Sequence, residues 1–428
     1  IKNYMWEKLS RIWKIKSLRN SILFVLGMLV IVRLTAHIPM PGVDRAALKS
    51  LLSGNEILGL LNVFSGGTIE NFSIVMLGIA PYITASIIFQ LLTMVVPRLE
   101  EIKKEGEAGQ QKINMYTRLA TVPLALLQSY GFIQLLSRTQ KNLIDGDLST
   151  LRLAAMMLIV TAGTIFLMWI GELITEKKIG NGISLLIFAG IVASLPTALR
   201  NAIVNYNPSD LYIYLLFVVI AIATIIGVII ISEGQRNIPI SYAKQMRGGQ
   251  LMGGAKSHLP LRVNMSGVIP IIFAISIILF PPMAAQFFVG KEGLLGKLAM
   301  STISLFNNQI FYGITYFLLV FGFTYFYTAV IFEPQKIAEN VQRQGGFIPG
   351  IRPGKQTEEY LDKTMSRLIF VGASFLGTIA ILPLLMKFVT NSQSLVFGGT
   401  SLLIVVSVAI ETAKQIESQL TIHEYDKL

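Results

Sequence analysis

Residues 59–92 read GLLNVFSGGTIENFSIVMLGIAPYITASIIFQLL, and the punctuation of this stretch decides what kind of chain it belongs to. Leu60 to Phe64 are apolar enough to dip into a membrane but too few to cross it. Gly66 and Gly67 then separate them from an apolar run, 74–96, that is long enough to span. Irregular backbone at membrane depth is tolerated only where protein or a water-filled cavity surrounds it. Two readings fit these residues. One is a short re-entrant segment that occupies a cavity and feeds a span containing Pro81; the other is an external loop with an interfacial turn.

The rest of the chain supports a membrane setting. Of 428 residues, 53% are hydrophobic and only 14% charged, against about 25% charged in soluble domains. Apolar runs of roughly 17–25 residues, enough to cross about 30 Å of hydrocarbon, fall near 21–37, 74–96, 114–136, 151–174, 180–200, 211–232, 267–289, 310–332, 366–390 and 395–411. Ten spans put both termini on one side. Of the 36 basic residues, 26 lie at the N-terminus, in or beside the even-numbered loops, and at the C-terminus; nine lie with the odd-numbered loops, and Arg33 is inside a span. The positive-inside rule makes both termini cytoplasmic. The opening KSLRNSILFVLGMLVIVRLTA reads as an ordinary first span rather than a cleavable signal, because no clear small-x-small site follows Arg33. Residues 4–16 put Trp6, Leu9, Ile12 and Trp13 on one helical face, as suits a helix lying in the membrane interface. Five spans on each side of the midpoint force the halves into opposite orientations, the arithmetic of an inverted repeat.

Much chemistry is excluded. No cysteine is present, so disulfides, thiolate nucleophiles and cysteine metal sites are ruled out. His37, His258 and His423 are far apart and form no H-E-x-x-H, so no metal or catalytic site is expected, nor any cofactor. Residues 350–357, GIRPGKQT, hint at a phosphate loop and fail its pattern. Pro349 stands where the first glycine belongs and Gln356 follows Lys355 where a hydroxyl is required. Mid-span charges are nearly absent, with Arg33, Arg118 and Glu172 close to span ends, which disfavours proton coupling.

Three further places depart from a plain helix bundle. IGNGISLLIFAGI (179–191) is interrupted by Gly180, Gly182 and Gly190, which either let helices pack closely or serve function. SHLPLRVNMSGVIPIIFAISIILFPP (257–282) carries Pro270 within a span and Asn264 at its entrance. The long basic loops 233–266 and 333–365, punctuated by Gly-Gly at 248, 253 and 345, suggest ordered turns forming a docking surface. On these residues alone, a protein-conducting channel and a secondary transporter of a small solute both remain open.

Seven blocks carry a resemblance: IPMPGVD (38–44), NVFSGG with LGIAPYITASII (62–88), EGEAGQQKINMYTR (105–118), IGNGIS (179–184), SHLPLRVNMSGVIP (257–270), GFIPGIRPGKQT (346–357) and FGGTSLLIVV (397–406). In this order they resemble the SecY family, the pore subunits of bacterial protein translocases, over essentially the whole chain. The resemblance implies an all-α membrane protein: ten transmembrane helices in two inverted five-helix halves, a clamshell around an hourglass pore. The first half would be 21–200, preceded by a cytoplasmic amphipathic segment (1–20) and containing a plug at about 60–72. The second would be 201–411, followed by a cytoplasmic tail, 412–428.

The resemblance also implies roles. Ile79, Ile83, Ile183, Ile187, Ile272 and Ile404 would form the ring at the pore waist. Asn62, Val63, Phe64, Ser65, Gly66, Gly67 and Thr68 would belong to the plug, with Phe64 beneath the ring. Thr84, Gln128 and Asn264 would hold the lateral gate. Arg352, Pro353, Gly354 and Lys355, with Arg236, Lys244 and Arg247, would dock the SecA motor ATPase or the ribosome. Further implied partners are the SecE and SecG subunits, signal-sequence-bearing precursors and membrane lipids. The implied function is passage of unfolded secretory polypeptides and sideways release of hydrophobic segments, in the bacterial inner membrane and without enzymatic activity of its own. A transporter would want converging polar groups at the midplane, whereas these motifs bring isoleucines there, which turns the balance to the channel.

Overall fold

The computed structural model describes residues 11–41, 48, 62, 65–139, 149–204, 211–242, 245–247, 250–252, 256–286, 288–289, 293–390 and 399–425. In chain order the helices are α1 (Lys16–Ala36), α2 (Ala80–Val95), α3 (Pro97–Lys104), α4 (Glu107–Thr139), α5 (Thr150–Glu176), α6 (Gly182–Val204), α7 (Leu211–Glu233), α8 (Ile269–Gln286), α9 (Leu294–Asn307), α10 (Gln309–Ile331), α11 (Pro334–Arg343), α12 (Lys355–Thr390) and α13 (Gly399–Tyr425). All ten expected spans have a helix: α1, α2, α4 to α8, α10, α12 and α13. Helix is the natural outcome, since a lone apolar segment in lipid must satisfy its own backbone. Among the described residues α1, α4, α5, α7, α10 and α12 are long and apolar enough to cross alone. Helices α6 and α8 hold shorter apolar stretches, and α2 bends by 99° into α3.

Local chemistry explains the boundaries. The second span starts at Ala80, not near 74, because 65–79 run as successive turns and Gly78 takes φ +56°. Pro81, expected inside the span, instead sits in the first turn of α2, where its missing N–H costs nothing. Pro270 is likewise the second residue of α8 rather than a break within it. Ser149 caps α5 by accepting the Arg152 N–H. Helices α4 and α12 extend past their apolar runs into polar turns, 107–113 and 355–365. Hydropathy marks where lipid ends, not where the helix does.

The chain forms two compact units: one of Ile1–Asn207, Ser276–Asn308 and Val408–Leu428, the other of Pro208–Ile275 and Gln309–Ser407. In the first unit, one core gathers Met40, Leu48, Ile69, Phe72 and Met76 with Phe132, Ile133 and Leu136 of α4 and Met156 and Val160 of α5. Arg118 of α4 and Glu172 of α5, the charges expected near span ends, pair with each other. The glycines of IGNGIS serve close packing. A Cβ on Gly182 would lie 1.8 Å from the Gly171 carbonyl oxygen of α5. There the Gly182 N–H donates to Thr175 Oγ1 (2.9 Å), whose hydroxyl donates to the same Gly171 oxygen (2.8 Å). Without a hydrophobic drive between helices in lipid, such contacts carry the association.

In the second unit, α10 packs along α12, and the loops fold in a way the sequence did not suggest. Instead of turns alone, β1 (Gln235–Tyr242) pairs antiparallel with β4 (Lys256–Arg262) and with β5 (Gly346–Phe347), giving the sheet order β4-β1-β5. A separate small ribbon joins β2 (Gln245–Arg247) to β3 (Gln250–Met252). Ile238 and Ile240 point inward while Asn237 and Pro239 stay exposed, the two-residue period of a half-buried strand. Pro239 and Pro260 disguise this pattern, since proline argues against a strand. They face His258 and Asn237 respectively in the β1–β4 register.

Candidate functional site

The expected ring residues fall on four helices. In the first unit, Ile79 caps α2 and Ile83 follows one turn on, 7% and 8% exposed; Ile183 and Ile187 are one turn apart on α6. Ile187 is buried, whereas Ile183 is only partly so, and its Cδ1 lies 2.8 Å from the position a Cβ on Gly171 would take. Ile183 therefore packs toward α5. In the second unit, Ile272 on α8 and Ile404 on α13 are both buried. Isoleucine side chains offer no hydrogen bonds to a passing chain, and a narrow collar of them disfavours a continuous water column.

The expected plug is only partly visible. Val63 and Phe64 lie outside the described residues, while Asn62 and 65–68 can be placed. Asn62 organises them: its carbonyl accepts from Gly67 N–H (2.8 Å) and Ser65 Oγ (3.0 Å). Its Oδ1 accepts from the Glu70 N–H (2.9 Å) and its Nδ2 donates to Glu70 Oε2 (3.4 Å). Thr68 Oγ1 donates to the Ser65 and Met76 carbonyls. Further bonds leave the segment. Arg33 Nη1 of α1 donates to the Gly66 carbonyl (2.7 Å), Met40 N–H to the Phe72 carbonyl (2.8 Å), Ser73 Oγ to the Thr35 carbonyl (2.9 Å) and Ile74 N–H to the Ile38 carbonyl (3.1 Å). Gly66, at φ +71°, also meets Gly190 of α6 so closely that a Cβ on it would lie 2.5 Å from Gly190 Cα.

The sequence placed Arg33 near a span end and left Gly190 open between packing and function, without joining either to the loop at Gly66. The signal for their meeting was the pairing of an in-span arginine with a loop of glycines.

Of the three expected gate residues, two meet. Gln128 Nε2 of α4 donates to Thr84 Oγ1 of α2 (3.2 Å), and Thr84 in turn donates to the Ala80 carbonyl (3.0 Å). Asn264 belongs to the second unit and uses its amide at home. Its Nδ2 donates to the Gly267 carbonyl (3.2 Å) and its Oδ1 accepts from Ser266 Oγ (3.1 Å), which shapes the turn into α8.

The loop residues sit on a folded platform. Ile238 and Leu261 of the sheet pack with Phe332, Ile348 and Leu361, Met365 and Ile369 of α12. On this core stands the tip 348–354, with Gly350 and Gly354 at φ +84° and +95°. Ile351 N–H donates to the Ile348 carbonyl, and Thr357 Oγ1 donates to the Arg352 carbonyl (3.0 Å). Arg352, Pro353 and Lys355 are exposed beside the start of α12, as is Arg236 on β1. Lys244 lies outside the described residues, and Arg247 belongs to β2. Gly354 earns its place by starting α12, its carbonyl accepting from the Thr357 and Glu358 N–H groups. No group of three or more potential metal ligands occurs among the described residues.

A family model for SecY matches residues 73–413. Curated relatives named protein translocase subunit SecY are similar along nearly all of both chains. That of Vibrio cholerae is 44% identical, covering 97% of this chain and 94% of its own. That of Halalkalibacterium halodurans is 43% identical, covering 98% and 99%, and that of Escherichia coli 44%, covering 96% and 93%. Among solved structures, a protein-conducting channel aligns at a TM-score of 0.58 with 17% identity, covering 92% of this chain and 91% of that one. A SecY structure concerned with its plug domain and the closed, sealed channel aligns at 0.60 with 18% identity, at the same coverage. Sec61 from a canine ribosome–channel complex of the endoplasmic reticulum aligns at 0.59 with 16% identity. These likenesses extend the shared fold to distant channels. With two fifths of its residues identical to relatives along almost their whole length, the chain belongs to the SecY family.

Proposed function

We propose that this chain is the protein-conducting subunit of a bacterial inner-membrane translocase, passing unfolded secretory polypeptides and releasing hydrophobic segments sideways into lipid. The observation that carries the reading is full-length similarity to translocase subunits at 44% identity, joined to six isoleucines at the motif positions, five of them buried. Ile79, Ile83, Ile183, Ile187, Ile272 and Ile404 form the waist. The segment around Asn62 to Thr68 plugs it at rest, and Thr84, Gln128 and Asn264 belong to the lateral gate. A signal sequence opens that gate because each leucine gains about 0.3–0.6 kcal/mol on entering lipid, enough in sum to outweigh a few polar contacts.

Both termini are cytoplasmic in this reading, as is the platform. Arg352, Pro353, Gly354 and Lys355, with Arg236, Lys244 and Arg247, dock a motor ATPase of the SecA type or the ribosome, whose RNA would be met through phosphate contacts. The driving energy comes from that partner, in keeping with the failed phosphate loop. SecE and SecG complete the complex. The family is one of channels, and no enzymatic role is assigned.

The absence of cysteine provides the test. A single cysteine replaces Ile83, and the complex is reconstituted with motor, ATP and a precursor stalled midway that carries one cysteine. A disulfide that depends on ATP and on the signal sequence is expected. If neither Ile83 nor Ile187 nor Ile404 crosslinks, the waist is misplaced and the channel reading fails with it.

A further inference from the structure

We infer that α9 (Leu294–Asn307) is a membrane-surface anchor, a helix that lies among the lipid headgroups with a face of leucines turned into the acyl chains. Its partner is the bilayer itself, met at the turn between the seventh and eighth spans. In the topology proposed above this is the outer leaflet. The inference rests on the placement of those spans in lipid and goes beyond the channel reading.

Length and tethering place the helix. Its 14 residues, at 1.5 Å each, make about 21 Å, too little to cross roughly 30 Å of hydrocarbon. It cannot stand far from the surface either. Asn308 alone separates its last residue from Gln309, where the span α10 begins, so its C-terminal end is held near the depth at which α10 enters the membrane. The span carries the same apolar character onward: Ile310, Ile314 and Leu318, four residues apart and so on one side of α10, are each more than half exposed, as side chains facing lipid are.

The faces of α9 say what covers it. Gly296 and Ala299 are buried and Ile303 and Phe306 partly so, which makes this the side against protein. Beside it, within roughly 100° of the helix circumference, stand Leu294, Leu295, Leu298 and Leu305, each more than half exposed. Lys297, Ser301 and Ser304, all exposed, take the remaining arc. A helix packed on protein in water needs two faces, one apolar and one polar. A third, apolar and uncovered among the described residues, suits a helix at the junction of protein, lipid and water. Thr302 falls within the leucine strip, and its hydroxyl donates to the Leu298 carbonyl (2.9 Å), so it needs no water there. Met300 is the one exposed apolar residue of α9 outside the strip. Lys297 is the only charge on the helix, so the seat is built on apolar area rather than on attraction to anionic lipid.

The test uses the complete complex in phosphatidylcholine liposomes, with Leu298→Cys, Leu305→Cys or Ser301→Cys carrying an environment-sensitive fluorophore. Phosphatidylcholine brominated high on its acyl chains is the lipid quencher and iodide the aqueous one. Labels at Leu298 and Leu305 are expected to lose most of their fluorescence in brominated lipid and little to iodide, and the label at Ser301 to do the reverse. Adding phosphatidylglycerol should leave the pattern unchanged; lipid quenching that arises only with that anionic lipid would overturn the apolar seat. A Leu298 label quenched by iodide as fully as the Ser301 label overturns the anchor. A Leu298 label shielded from both quenchers places a protein on this face and overturns it equally. Leu318→Cys on α10 keeps the two levels apart. No response to brominated lipid at Leu318 refutes the span's placement and the anchor with it, whereas a response there beside a water-exposed Leu298 refutes the anchor alone.

Discussion

Single residues divide into those whose purpose was written in their type and those whose purpose needed a neighbour. Gly182 is of the first kind. A methyl group there meets the Gly171 carbonyl, a backbone atom that cannot step aside. Gly182→Ala is therefore expected to lower stability by about 1–3 kcal/mol, as overpacking does, read as a lower unfolding temperature in detergent. Gly180→Ala is the control: its Cβ meets the flexible end of Leu185 at 2.9 Å, and the change should be smaller. The Thr84–Gln128 contact is of the second kind. Gln128→Leu removes a bond that averages about 0.6 kcal/mol inside membranes. We expect export of a precursor with a weakened signal sequence to rise about threefold by the same figure. Unchanged export would detach this pair from the gate. Sequence could name Thr84, Gln128 and Asn264 together through the resemblance, but not that Asn264 also shapes its own turn. A side-chain amide has several possible partners, and spacing does not choose among them.

At the scale of elements, the spans were legible because twenty apolar residues in a row admit few other readings. The platform was not. Strands β1 and β4 contain proline, and β5 has only two residues and lies roughly a hundred residues from its partner β1, so no local period announces the pairing. What the sequence did show was that the loops are too long and too punctuated by glycine to be idle. Two variants test the element. Leu361→Ala removes a fully buried side chain from the platform core and is expected to cost about 2–5 kcal/mol, seen as faster proteolysis within 233–266. Arg352→Glu alters an exposed side chain. It should leave the proteolysis pattern unchanged and abolish partner-driven transport. Loss of transport with equal loss of protection would mean that Arg352 supports the fold rather than the contact.

For the whole molecule, the distribution of basic residues makes a prediction about sidedness. Protease added to the cytoplasmic face of membrane vesicles should cut within 233–266 and 333–365, and protease on the other face should cut neither. The reverse pattern would invert the docking proposal, though not the family. That scale was the most legible of the three, since ten spans and seven motif blocks precede any geometry. Least legible was contact at a distance along the chain, such as Arg33 with Gly66 or Gly66 with Gly190, where each partner alone has a bland explanation.

The length of helix α12 bears on how work could reach such a channel. Helix α12 begins at Lys355, next to the exposed Arg352 tip, and runs unbroken to Thr390, 36 residues. At 1.5 Å per residue it is about 54 Å long, well beyond the roughly 30 Å of hydrocarbon it must cross. Pro383, which could weaken it, lies close to its far end. In the proposed docking, a partner pressing on the tip would push one end of a stiff strut. The load would enter the membrane as thrust along a rod braced by α10, so that work done by the partner reaches the span mechanically.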